Sequence, residues 1–161
     1  MSKLFIWISA MRLRTLPLSI SGIILASCLA HYNGVFKWGI CLLAILTTLS
    51  LQILSNFAND YGDGVKGTDN DDRIGPKRAI QSGQISPDEL LNAIKMNILI
   101  SIILAFMLIF CAFGAKHFLL TIIFFTLGIG AVVAALRYTI GGNAYGYRGL
   151  GDVSVFVFLG L

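Results

Sequence analysis

The sequence predicts an all-α, polytopic bundle of transmembrane helices, with about four full spans and the start of a fifth. Three observations carry this. Hydrophobic residues make up 57% of the 161 residues and charged ones 12%, about half the charged share of a soluble domain. The apolar residues come in runs near the roughly 20 needed to cross a bilayer. Ionisable side chains are confined to the stretches between those runs.

Taken in order, residues 1–15 carry Lys3, Arg12 and Arg14, and the apolar run Leu16 to Ala30 follows. That run is short for a span, but Trp7, Ile8 and Met11 extend an amphipathic approach to it. A basic start before Leu25-Ala26-Ser27-Cys28 also has the outline of a lipoprotein signal. The further spans that follow, in place of a soluble domain, argue against it. A second run covers about Val35 to Phe57, with Trp38 where an interfacial aromatic sits. Ser86-Pro87-Asp88-Glu89 reads as a helix start, with an N-cap serine, proline at the first helical position and glutamate three residues after the cap. It opens a third helix, Pro87 to Phe113. Gly114 to His117 form a turn. A fourth helix, Phe118 to Tyr138, contains Gly128 and Gly130, small residues that permit close helix contact. A glycine-rich loop, IGGNAYGYRGLGD, leads to a fifth apolar run that begins at Asp152. The ten residues from there to Leu161 are too few to cross a bilayer core about 30 Å thick. The chain is therefore expected to be the front part of a longer protein.

Charge sets the orientation. Ten of the twelve Lys and Arg fall before the first span, between Asn56 and Lys95, or at Arg137 and Arg148, leaving Lys37 and Lys116 for the other loops. The positive-inside rule then places the N-terminus and both polar loops on the cytoplasmic side. The net charge of +4 is spread out, with no basic stripe interleaved with aromatics, so nucleic acid is not an expected partner. Cys28, Cys41 and Cys111 lie in apolar runs at no metal-ligand spacing and read as buried helix residues.

The long polar segment, Asn56 to Gly83, is where chemistry is expected. Five of the chain's eight carboxylates, Asp60, Asp63, Asp69, Asp71 and Asp72, lie within it, with Lys66, Arg73, Lys77 and Arg78. Carboxylates this close repel one another unless a cation sits among them, and hard oxygen ligands suit Mg²⁺. If the second helix continues to about residue 63, Asn56, Asp60 and Asp63 fall at i, i+4 and i+7 on one face. Mg²⁺ is usually held by one or two carboxylates and shared with substrate phosphates, which the nearby Lys and Arg suit. The same residues could also form a solvated loop between spans, or the acidic mouth of a divalent-cation channel or transporter. A channel predicts ionisable groups in mid-span. The polar side chains in mid-span are small hydroxyls, Gln52, Asn92 and Asn97, with Lys95 and Arg137 toward the cytoplasmic helix ends.

The run SNFANDYGDGVKGTD followed by DRIGP, read with Arg12-Leu13-Arg14-Thr15-Leu16-Pro17 and with Tyr138-Thr139 through Gly146-Tyr147-Arg148-Gly149-Leu150-Gly151-Asp152, resembles the UbiA-type membrane prenyltransferases. The resemblance spans nearly the whole chain and is nearest to the branch that prenylates 1,4-dihydroxy-2-naphthoate in menaquinone synthesis. It implies a bundle of nine transmembrane helices in a bacterial inner membrane, with the prenyl tail in an apolar tunnel open toward the lipid bilayer. It implies Mg²⁺ held on two Asp-rich motifs, ionisation of a polyprenyl diphosphate to an allylic cation, and attack by the aromatic acceptor. In the naphthoate branch CO₂ is lost and demethylmenaquinone results; 4-hydroxybenzoate, homogentisate or haem acceptors would use the same machinery.

Carried onto this chain, the resemblance gives Asn56, Asp60 and Asp63 as the first catalytic motif, with Asp60 and Asp63 on the metal. Lys66, Asp69, Arg78, Tyr138 and Asp152 become diphosphate or substrate contacts. Phe57, Tyr61 and Tyr138 either line the cavity or pack between helices. The chain departs from the family in three places. The second Asp-rich motif belongs to a later loop, so residues 1–161 read as the N-terminal portion of one prenyltransferase domain, apparently truncated and inactive alone. Asn143-Ala144 stands where relatives often carry proline. Arg137 precedes the Tyr-Thr pair where the family is commonly apolar, and there it either meets the diphosphate or snorkels to the interface.

Overall fold

The computed structural model describes residues 3–67 and 78–155, side chains 115, 154 and 155 apart, and every regular element among them is helical. Helix α1 (Lys3–Ala10) runs through a 3₁₀ turn at Leu13–Thr15 into α2 (Leu16–Tyr32); α3 is Trp38–Lys66, α4 Pro87–Phe113, α5 Phe118–Thr139 and α6 Gly151–Val155. Four stretches are long and apolar enough to cross a membrane: Lys3–Tyr32, Trp38–Lys66, Pro87–Phe113 and Phe118–Thr139. Together they make an integral membrane helix bundle.

Helix α3 is the axis, in contact with α1, α2, α4 and α5. Its 29 residues extend about 43 Å at 1.5 Å per residue, longer than a hydrocarbon core of about 30 Å. The last turns therefore continue past the apolar run, carrying Asn56, Asp60 and Asp63. The helix ends at Gly67, whose left-handed backbone (φ 70°) lets its N–H reach the Asp63 carbonyl. Helix α4 starts as its sequence predicts. Ser86 Oγ accepts from the Glu89 N–H and the Glu89 carboxylate accepts from the Ser86 N–H, so two otherwise orphaned donors are satisfied.

Apolar burial is concentrated at the Asp60 end, where Ile6 and Ala10 of α1, Leu54 and Phe57 of α3, and Leu90 and Ile94 of α4 form one cluster with Ala79, Ile85 and Val132. Trp7 packs edge-on against Phe57, ring centroids 5.7 Å apart. Phe57 is thus a core residue. The middle of the bundle inverts the soluble pattern. Leu18, Leu99, Phe106, Phe118 and Leu127 are exposed, as lipid-facing residues are. Ser50, Asn97 and Ser101 are buried between α3 and α4, and Ser50 Oγ lies 2.7 Å from both Asn97 Oδ1 and Ser101 Oγ. Two apolar helices gain nothing by shedding lipid, so hydrogen bonds of this kind join them. Ser19 Oγ donates to Gln52 Oε1 at 2.8 Å and ties α2 to α3.

The expectation for Gly128 and Gly130 is corrected. A Cβ at either position meets nothing within 4 Å, so neither marks a close helix crossing among the described residues. The close crossing is at Gly62, where a Cβ would lie 2.6 Å from both Cβ and the carbonyl oxygen of Thr139 on α5. Thr139 Oγ1 also donates to the Ala58 carbonyl at 2.9 Å. At Gly64, a Cβ would lie 2.8 Å from Ile80, so the segment returning toward α4 packs directly on α3.

Candidate functional site

The 3.6-residue repeat puts Asn56, Asp60 and Asp63 on one face of α3, and each meets groups from outside that helix. Asn56, buried, donates from Nδ2 to the Met11 carbonyl at 2.9 Å and fixes the bend between α1 and α2. Asp60 is only 2% exposed; its Oδ1 accepts from Arg12 Nη2 at 2.6 Å and lies 3.7 Å from Arg78 Nη1. Asp63 pairs with Arg78 and accepts from the Tyr147 hydroxyl. Lys66 is exposed and holds its Nζ 3.8 Å above the Tyr147 ring, a cation–π contact between the end of α3 and the glycine-rich loop.

Arg12 reaches Asp60 through an unusual backbone. Its φ of 51° and ψ of 56° are left-handed, the one positive φ among the described non-glycine residues. Such a conformation costs about 1–2 kcal/mol. It persists because the surroundings fix it: the Thr15 N–H and Oγ1 both donate to the Arg12 carbonyl at 2.9 Å, and the Arg12 N–H donates to Ser9.

Two clefts flank the cluster, and Arg78 lines both. The first, about 380 Å³, lies between α1 and α3 and is lined by Phe5, Ile8, Arg12, Leu13, Arg14, Asp60 and Arg78, among others. The second, about 310 Å³, is lined by Asn59, Asp63, Arg78, Tyr138, Thr139, Gly146 and Tyr147. The second cleft is therefore shared between the end of α3 and the glycine-rich loop. Tyr138 forms its wall, edge-on to Tyr145 at 5.3 Å. The loop can pass only because Gly146 has no side chain, since a Cβ there would lie 2.6 Å from the Tyr138 carbonyl oxygen. Asp152 is exposed on α6 and lines neither cleft; Lys66 lines neither either. Asp69 lies outside the described residues. Arg137 is exposed and lies along neither cleft, as a snorkelling side chain would. Asn143, in the pair that departs from the family, accepts at Oδ1 from Arg148 Nη2 at 2.6 Å, a local tie within the loop.

Sequence reasoning missed Arg12 and Tyr147 as site residues. Both sit in motifs already singled out, but no spacing rule connects Arg12 to a carboxylate 48 residues away. The expectation that a metal relieves repulsion between the carboxylates is also amended for Asp60 and Asp63; Asp71 and Asp72, like Asp69, lie outside the described residues. Among the described residues, the guanidinium groups of Arg12 and Arg78 already neutralise Asp60 and Asp63.

The donor set fits magnesium in one form only. Among the described residues there is no group of three His, Cys, Asp or Glu that could hold a metal unaided. Two carboxylates a turn apart suit an ion that completes its shell with water and substrate phosphate. Arginines beside them suit the phosphate itself, through bidentate charged hydrogen bonds.

The sequence profile of the UbiA prenyltransferase family matches residues 20–161. The chain belongs to that family. It is 43% identical over 157 residues to the 1,4-dihydroxy-2-naphthoate octaprenyltransferase of Escherichia coli (strain K12), covering 96% of this chain and 49% of that protein. To the protein of the same name from Haemophilus influenzae it is 45% identical over 161 residues, 99% of this chain and 52% of the relative. The one from Mycobacterium tuberculosis is 34% identical over 154 residues, 96% of this chain and 50% of the relative. The chain thus spans about half the length of the curated relatives it matches. No solved structure matches it. Within this UbiA family chain, Asp63 of α3 with Arg78 forms the charged wall of the second cleft, and Tyr138, Thr139, Gly146 and Tyr147 from α5 and the loop after it form the uncharged one.

Proposed function

We propose that the protein transfers a polyprenyl group from a polyprenyl diphosphate to 1,4-dihydroxy-2-naphthoate, releasing CO₂ and diphosphate and giving demethylmenaquinone in its quinol form. The observation that carries this reading is the Asp60–Asp63 face with Arg12 and Arg78 set against it. The naphthoate acceptor is supported by the printed names of relatives up to 45% identical. In this reading residues 1–161 are the N-terminal portion of one prenyltransferase domain. They lie in the bacterial inner membrane with the N-terminus and both polar loops in the cytoplasm, as the distribution of Lys and Arg supports.

In the mechanism, Asp60 and Asp63 would hold Mg²⁺, which supplies charge neutralisation to the leaving diphosphate. Arg78, flanked by both clefts, attracts the same oxygens, joined from beyond the Tyr147 ring by Lys66, and Asn56 holds the α1–α2 bend against α3. As the C–O bond breaks, charge builds on the leaving oxygen, and donors already aimed there are typically worth 10²–10³ in rate. Tyr138 and Tyr147 wall the second cleft; the Tyr147 ring already faces Lys66 Nζ, so the Tyr138 ring is the one that suits an allylic cation. The acceptor ring carbon attacks that cation, and the carboxylate on the ring leaves as CO₂. Residues 1–161 supply one carboxylate motif, and alone they are expected to give no transfer.

The test is prenyl transfer by the full-length protein in lipid vesicles, with radiolabelled prenyl diphosphate and Mg²⁺. Label is expected in a decarboxylated naphthoquinol when 1,4-dihydroxy-2-naphthoate is supplied, and not in 4-hydroxybenzoate. Preferential labelling of 4-hydroxybenzoate would overturn the acceptor assignment. Mg²⁺ flux into the vesicles without prenyl transfer would overturn the enzyme assignment.

A further inference from the structure

The reaction needs Asp60 for the metal, yet the structure shows that carboxylate occupied. Arg12 Nη2 sits 2.6 Å from Asp60 Oδ1, and Arg78 Nη1 approaches the same oxygen at 3.7 Å while pairing with Asp63. These four side chains sum to zero charge. A divalent ion entering alone must displace a guanidinium from a nearly buried carboxylate and leaves the group two charges positive. A diphosphate ester brings about three negative charges at neutral pH. Metal and diphosphate arriving together therefore keep these four side chains and what they bind near neutrality, and the displaced guanidinium finds phosphate oxygens to bind.

We propose that Arg12 is a stand-in cation: it holds Asp60 while the site lacks donor and yields that carboxylate when diphosphate and metal arrive, so that metal uptake depends on the donor. The inference rests on the proposed function. Two features single out Arg12 over Arg78. The Arg12 side chain is 32% exposed against 17% for Arg78, and it lines the larger cleft beside Arg14, with room to swing. Its left-handed backbone, at the joint between α1 and the turn before α2, is the described non-glycine position with most to gain from a change of conformation. Arg78 reaches both carboxylates and keeps Asp63 paired when Arg12 leaves.

The experiment uses Mn²⁺ as the probe on the full-length protein in nanodiscs, with bound ion counted after equilibrium dialysis, with and without inorganic pyrophosphate. Wild type is expected to hold Mn²⁺ at least tenfold more tightly when pyrophosphate is present. Arg12→Gln is expected to bind Mn²⁺ without pyrophosphate at least tenfold more tightly than wild type, and Arg12→Lys, which lacks the planar fork, to fall between them. A purely structural role for Arg12 predicts unchanged or weaker Mn²⁺ binding in both variants and would overturn the inference. So would equal Mn²⁺ affinity of wild type in the two conditions, a comparison that needs no variant. Absence of Mn²⁺ binding even with pyrophosphate would instead bring down the proposed function, and this inference with it.

Discussion

Asp60→Asn in the full-length protein is expected to lower prenyl transfer at least 100-fold, in line with the 10²–10³ typical of losing one electrostatic contact to a leaving group. The substitution keeps shape and removes the charge that both Arg12 and the metal would use. Its effect on the fold is expected to be smaller than its effect on rate, because Arg12 is part-exposed and water can solvate its guanidinium. Initial rates in vesicles, paired with thermal unfolding in detergent, separate the two. Near-normal transfer by Asp60→Asn would remove the residue from the machinery. A loss of rate matched by a collapse in unfolding temperature would reduce Asp60 to a structural partner of Arg12.

The largest expected effect on folding comes from a residue with no chemistry. In Gly62→Ala the new methyl would lie 2.6 Å from Thr139 Cβ and carbonyl oxygen, and because one of those contacts is backbone, no rotamer change relieves it. Helices α3 and α5 must part, at a cost of about 1–3 kcal/mol or more. Separation also threatens the Thr139 Oγ1 bond to the Ala58 carbonyl and moves Tyr138 relative to Asp63. Transfer is expected to fall along with stability. Gly128→Ala is the control, since its methyl meets nothing within 4 Å. Thermal unfolding of the two variants in the same detergent checks the contrast, and equal unfolding temperatures would contradict the close crossing at Gly62.

That contrast shows how far the sequence could be read. The spans were legible because each is a long apolar run bounded by polar residues, and the start of α4 because Ser86, Pro87 and Glu89 satisfy a local hydrogen-bond rule. The course of α3 beyond the apolar run was legible from the spacing of Asn56, Asp60 and Asp63, and the helix in fact continues to Lys66. Those signals are local. Which glycines sit at a crossing is decided by how two helices meet, so Gly128 and Gly130 look as suitable as Gly62 until the bundle is assembled. The same holds for Arg12. Its charge was visible, but its approach to Asp60 depends on a left-handed bend and on α1 packing Ile6 and Ala10 against α3 and α4. For Phe57 the sequence leaves cavity lining and helix packing open, and the contact with Trp7 decides for packing.

Calorimetric titration of the full-length protein in nanodiscs with a non-cleavable prenyl thiolodiphosphate, in Mg²⁺ and in EDTA, tests most directly whether Asp60 and Asp63 grip the diphosphate through the metal. Binding is expected to be strong in Mg²⁺, to weaken at least tenfold in EDTA, and to lose its Mg²⁺ dependence in the double variant Asp60→Asn, Asp63→Asn. Binding of equal strength in Mg²⁺ and EDTA, or Mg²⁺ dependence that survives loss of both carboxylates, would contradict that role.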